Sequence, residues 1–211
     1  MERSIVAHLE GKYAPDIILL GGSRADSTAK TQSDWDLYLI GEYPHRDSRP
    51  EVYEGEHLDV EVRPWEKITN KILTIYYGPV SSLRVLKDSS DADGEQIVLL
   101  TRIAYEKGPT KKNQEELQLD KSEMARLLSK IRTHAHDPES CFTTLGFFHR
   151  LALQCWFEKR GCWSLPPYKA LPIVRKEDCL FAQCLEEIAS GAEIGRKVIA
   201  GERAYSILWG L

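Results

Sequence analysis

The chain has 211 residues, 42% of them hydrophobic, and its 28 Lys and Arg against 32 Asp and Glu give a formal charge of −4. That is enough apolar mass for one large or two small domains, and the acidic balance argues against a general nucleic-acid binder, which needs a basic excess. The longest apolar runs, at 17–20 and 97–100, are far too short to span a bilayer, and five cysteines at 141, 155, 162, 179 and 184 without metal spacing point to reduced, mostly buried thiols in a cytoplasmic protein.

The first residues are mixed and polar, with no apolar signal core. Residues 5–13 place Ile5, Val6 and Leu9 on one helical face, a lead-in helix ended by Gly11 and Pro15. Residues 16–20 read as a buried strand closed by a Gly21-Gly22 turn, 25–32 as a short helix or loop, and 34–40 as a second strand. Pro44 and Pro50 mark a loop, and Glu54-Gly55 separates two runs able to pair as a hairpin. The second run, 57–63, alternates apolar and charged residues, with Asp59 and Glu61 on its polar face. Pro64 stops it; 65–77 then reads as a helix with Trp65, Ile68, Ile72 and Ile75 inward, 82–86 as a last strand and 95–107 as another helix.

The polar stretch 108–114 marks the boundary between domains at 1–108 and 109–211. Beyond it the pattern is helical, over 115–135, 141–159, 177–189 and 193–208, with a Pro-rich connector at 161–172. The span 141–159 is the most hydrophobic of the chain and reads as the central helix of a bundle, with Phe147, Phe148, Trp156 and Phe157 as core. The expected class is α+β: an N-terminal mixed sheet with flanking helices, followed by a C-terminal helical bundle.

The chemistry concentrates in Gly21-Gly22-Ser23-Arg24 and Ser33-Asp34-Trp35-Asp36-Leu37. Strand side chains alternate, so Asp34 and Asp36 share a face while Trp35 and Leu37 enter the opposite layer. Two carboxylates held that close call for a cation, and an oxygen-only donor set suits magnesium. The Gly-Ser turn supplies backbone amides that can approach a phosphate. Together with Asp59 the set suits phosphoryl or nucleotidyl transfer: Asp34 and Asp36 bridging two Mg2+ ions, Asp59 on one of them, Gly22 and Ser23 on the outer phosphates of a nucleoside triphosphate, and Arg24 and Lys30 as cations for the pyrophosphate. The gaps exclude a P-loop and a dinucleotide fingerprint, since neither Gly-Lys-Ser/Thr nor a third glycine follows. Cys155 and Cys162, in an apolar helix and at its exit, read as packing thiols, and His134 and His136 as cations at a helix C-terminus.

The Gly-Ser turn, the gap of about ten residues, the Asp-x-Asp pair and the later Leu58-Asp59-Val60 resemble the signature of the nucleotidyltransferase superfamily that includes DNA polymerase beta and the aminoglycoside nucleotidyltransferases. The match runs over roughly 17–63, and the two-domain plan resembles small bacterial members. It implies catalytic and metal-binding roles for Asp34, Asp36 and Asp59, with Glu61 in reserve for Asp59. It also implies an NTP donor, ATP first, and a hydroxyl acceptor on a small molecule such as an antibiotic, or on a protein or RNA. Glu158 or Glu139 are candidates for a general base from the helical half. A neighbouring subunit of a homodimer could complete the cleft, and the alternatives are a non-catalytic antitoxin-like module that works by association with a toxin-type partner and, last, a ribonuclease centred on the helical half.

Overall fold

The computed structural model describes residues 1–75, 78–89, 91 and 93–210, and the chain divides into two compact units, Met1–Lys107 and Gly108–Leu211. The first unit is built on a five-stranded sheet in the order β3-β4-β2-β1-β7, from β1 (Ile17–Gly21), β2 (Trp35–Gly41), β3 (Asp47–Tyr53), β4 (Glu56–Pro64) and β7 (Leu83–Asp88). Neighbours are antiparallel except β2 and β4, which run parallel. The class is α+β, with a mixed sheet in the first unit and helices in the second.

Alternation divides the strand side chains between two cores. Ile18, Leu20, Trp35, Leu37, Leu39, Leu58, Val60 and Val62 pack with Ile5 and Leu9 of α1 (Glu2–Tyr13). On the other face Ile17, Leu19, Tyr38 and Ile40 meet Ile68, Leu73, Val80 and Ile97, the last from α3 (Asp93–Lys107). Helix α1 runs through Gly11, which was expected to end it, and stops where Ala14 turns left-handed at φ 48°. The short α2 (Gly22–Ala25) starts at the glycines rather than after them, and residues 26–34 are turn and loop. Glu54 and Gly55, with φ 51° and 83°, close the β3–β4 hairpin in the primed-turn conformation that matches strand twist.

The expected helix over 65–77 does not form. Two 3-10 turns, Trp65–Lys67 and Thr69–Lys71, lead instead to a small ribbon of β5 (Thr74–Ile75) with β6 (Gly78–Pro79), and the end of the expected helix, residues 76 and 77, lies outside the described residues. Asn70 and Lys71 have positive φ, which ends helical propagation. The segment is fixed by burial and by Thr101, a buried side chain whose Oγ1 accepts from Leu73 N at 2.9 Å.

The second unit comprises α4 (Gln114–Thr133), α5 (Pro138–Glu158), α6 (Pro167–Glu177), α7 (Cys179–Ala189) and α8 (Ile194–Trp209). Asn113 and Glu116 form a reciprocal capping box at the start of α4, and Asp137 and Asp178 cap α5 and α7. Part of the expected Pro-rich connector is helix α6: Pro167 sits in its first turn, where no amide is required, and Pro172 lies within it. Phe148, Trp156, Phe157 and Phe181 are core, whereas Phe147 is 60% exposed, because α5 turns that position away from its neighbours. Cys141, Cys155 and Cys184 are buried and Cys162 and Cys179 exposed, all as free thiols. No helix among the described residues is long and apolar enough to cross a membrane.

One buried charge is answered locally. Lys197 of α8 is 3% exposed and donates to the carbonyls of Ile188 and Ser190, at 3.0 and 2.5 Å, where α7 ends and its dipole is negative. Lys197→Met keeps the stem but leaves both carbonyls without a donor. The expected loss is about 2–3 kcal/mol, seen as a lower urea midpoint at unchanged slope; an unchanged midpoint would show that this contact contributes nothing.

Candidate active site

Four elements meet at one edge of the sheet: the β1–α2 turn, the start of β2, the start of β4 and the edge strand β3. Asp36 pairs in register with Gly21 on one side and with Asp59 on the other. Residues paired in this way point to the same face, with backbones about 5 Å apart. Since Trp35 and Leu58 are both in the α1-facing core, Asp36 and Asp59 lie together on the opposite face. Alternation along β2 and β4 carries Tyr38, Glu61 and Arg63 onto that face as well.

The two glycines at the end of β1 are explained by what crosses them. A Cβ on Gly22, whose φ is +64°, would come within 1.9 Å of Asp36 Oδ2, so the carboxylate rests directly against this backbone. A Cβ on Gly21 would meet Tyr38 Cε2 at 2.7 Å. Gly21 therefore makes room for the Tyr38 ring and Gly22 for the Asp36 carboxylate. Ser23 follows on α2, its carbonyl accepting from Thr28 N at 2.9 Å. The Tyr38 phenol is pushed well above its ordinary range, by burial first and then by Asp36 and Glu61.

The two candidates for the third acid differ in their partners. Glu61 is ion-paired with Arg46 and with Arg63, whose Nε lies 2.8 Å from its Oε1. Arg63 is 3% exposed, with its Nε and Nη2 buried and without hydrogen-bond partners, and Glu61 is its ion-pair partner. Asp59 has no cation beside it among the described residues. Its carboxyl is held above the usual range, by partial burial first and then by Glu61 and Asp34.

Arg24 does not join the acids. Its guanidinium stacks 4.3 Å from the Trp35 ring, on the α1-facing side, and donates to Ser33 O at 2.8 Å and to Glu56 Oε2 at 2.9 Å. Glu56 also accepts from Trp35 Nε1 at 2.9 Å, so the set ties the loop before β2 to the start of β4. Lys30 is exposed on that loop. In the second unit Glu158 lies 2.7 Å from Lys112 Nζ and accepts from Gln154 at 2.8 Å, while Glu139 is exposed in the first turn of α5.

Among the described residues no three His, Cys, Asp or Glu side chains close into a ready-made metal cage. Magnesium does not require one, because it is bound through one or two carboxylates and completes its shell with water and substrate phosphates. The hard oxygen donors of Asp36 and Asp59, paired in register, with Asp34 near enough to Asp59 to raise its pKa, fit such an ion in donor chemistry.

Sequence reasoning did not single out Tyr38, His57 or Arg63. His57 is exposed two residues before Asp59 on the same face of β4, and with Asp34 it lines two adjoining recesses. The alternation that marked Asp59 was the available signal for it.

The chain aligns over its whole length with the nucleotidyltransferase-like protein from Exiguobacterium sibiricum 255-15, covering 74% of that chain at 12% identity and a TM-score of 0.55. No protein-family model and no curated protein matches the sequence. At this identity the likeness is one of fold.

A carboxyl whose pKa is raised by folding favours the native state at acid pH, and that contribution disappears as pH rises through the folded-state value. Asp59→Asn is therefore expected to raise the urea midpoint at pH 7 and to leave it unchanged at pH 3. An unaltered or lower midpoint at pH 7 would contradict the electrostatic account of this position.

Proposed function

We propose that the first unit is a magnesium-dependent nucleotidyltransferase, which moves a nucleoside monophosphate from an NTP, ATP first, to a hydroxyl acceptor. The observation that carries the reading is the register Gly21↔Asp36↔Asp59 across β1, β2 and β4, which puts two acids on one face beside a glycine turn. The fold shared with a nucleotidyltransferase-like protein supports it.

In the reaction the acceptor oxygen attacks the α-phosphorus and forms the new P–O bond. The bond from that phosphorus to the bridging oxygen breaks, pyrophosphate leaves with the electron pair, and the hydroxyl proton passes to solvent. Asp36 and Asp59 would hold the cation, with Asp34 at the rim, and the cation would supply the charge that offsets the phosphates. Gly22 and Ser23 would donate backbone amides to the outer phosphates, which approach closely because Gly22 carries no side chain. Arg24, on the other face, would fix the loop that delivers Asp34, while Lys30 on that loop, with no ion-pair partner among the described residues, would be a cation for the leaving pyrophosphate. Glu61, matched by Arg46 and Arg63, keeps Arg63 neutralised and leaves the third-acid role to Asp59.

Incubation with labelled ATP, GTP, CTP or UTP, magnesium and candidate acceptors tests this reading. Asp36→Ala and Asp59→Ala are each expected to lower turnover by about 100-fold or more, and Glu61→Gln by far less. Turnover that survives both alanines would end the assignment. So would a stable complex with a second protein accompanied by no nucleotide turnover, which is the mark of an associating module.

A further inference from the structure

The strand order gives the site a direction, and the inference below rests on the transfer reading. If pyrophosphate leaves over Gly22 and Ser23, at the β1 side, in-line displacement brings the attacking oxygen from the opposite side of the α-phosphorus. Across the sheet from β1 and β2 that side belongs to β4 and β3. Two recesses open there, of about 490 and 420 Å3, and Asp34 and His57 line both. One continues along Thr31 and Gln32 to Gly55, and the other passes Asp59 to Pro50 and Val52. They form one furrow with His57 at its middle.

The lining selects a chemistry. Asp34 and Asp59 give it negative charge, and neither recess has a Lys or Arg in its wall. Lys30 is a cation at the furrow's margin, on a recess that adjoins the first along Thr31, Gln32 and Ser33. Glu51 is already matched by Lys12 and His8, and Glu56 by Arg24. A polyanion such as RNA, which needs cations along its path, is repelled here. The hydroxyl of Thr31, the amide of Gln32 and the His57 ring, which has no hydrogen-bond or ion-pair partner among the described residues, offer donors and acceptors to hydroxyl groups. Val52, 63% exposed, adds an apolar surface for a ring or carbon chain.

We propose that this furrow is the acceptor site, that it takes a hydroxyl-rich compound without anionic groups, and that His57 contacts the acceptor and sets its selection. His57 is not required to hold the outer phosphates of the donor, which lie over the β1–α2 turn two strands away.

Amide NMR of the full chain tests the proposal with three probes: magnesium with a non-hydrolysable ATP analogue, a neutral trisaccharide and poly(U). The nucleotide is expected to shift Gly22 and Ser23, and the trisaccharide to shift Gln32, Val52 and His57. His57→Ala should weaken the trisaccharide about 10-fold, the worth of one or two hydrogen bonds, and leave the nucleotide shifts in place. Poly(U) should move none of these resonances. The proposal is overturned if the trisaccharide leaves the furrow unshifted, if it binds His57→Ala equally well, or if poly(U) occupies the furrow. A nucleotide that shifts neither Gly22 nor Ser23 contradicts the transfer reading separately, while the trisaccharide shifts still decide whether the furrow binds polyols.

Discussion

The parallel pairing of β2 with β4 is the constraint on which the first unit depends. It places Asp36 and Asp59 side by side on one face, where partial burial first, and then Glu61 and Asp34, raise the Asp59 pKa. Hydrophobic burial supplies the opposing force: Trp35, Leu37, Leu39, Leu58, Val60 and Val62 fill the α1-facing core in the same register. A slip of one residue would turn these six side chains out of that core and bring the acids into it. The sheet thus holds the carboxylates in a geometry that they would not adopt unaided, and Gly22 allows Asp36 to lie flat against the turn.

Several cations elsewhere among the described residues have close partners. Lys197 donates to carbonyls at the end of α7, Lys112 pairs with Asp120 and Glu158 at 2.7 Å each, and Arg63 is ion-paired with Glu61 without a hydrogen bond from its Nε. Burial without such partners would cost several kcal/mol per charge. Against this background the net negative charge at Asp34 and Asp59 stands out, since no cation pairs with Asp59 among the described residues. That difference distinguishes Asp59 from Glu61 although both lie on one face, and the ligand role proposed for Asp59 rests on it.

Much of the sheet is legible in the sequence because its signals are local. The alternation of 57–63, the Asp-x-Asp spacing and the Glu54-Gly55 turn each follow from backbone geometry over a few residues. The segment 65–77 misleads for the converse reason: Trp65, Ile68, Ile72 and Ile75 fit a helical period, but the positive φ of Asn70 and Lys71 and the bond from Leu73 to Thr101 depend on contacts distant in the chain. Phe147 fits a helical core yet faces solvent, since hydrophobicity alone does not say which side of α5 has neighbours. The place of Arg24 was equally hidden. Its stacking on Trp35 and its pairing with Glu56 join residues 11 and 32 positions away, which no spacing rule relates.

The central claim is that Asp36 and Asp59 hold one divalent cation beside the glycine turn. Paramagnetic broadening by Mn2+, added with a non-hydrolysable ATP analogue, reports the position of the ion without requiring turnover. The account predicts selective loss of the amide signals of residues 22, 23, 36 and 59, and its absence in the double variant Asp36→Asn/Asp59→Asn. Broadening centred elsewhere, or unchanged in that variant, would contradict it.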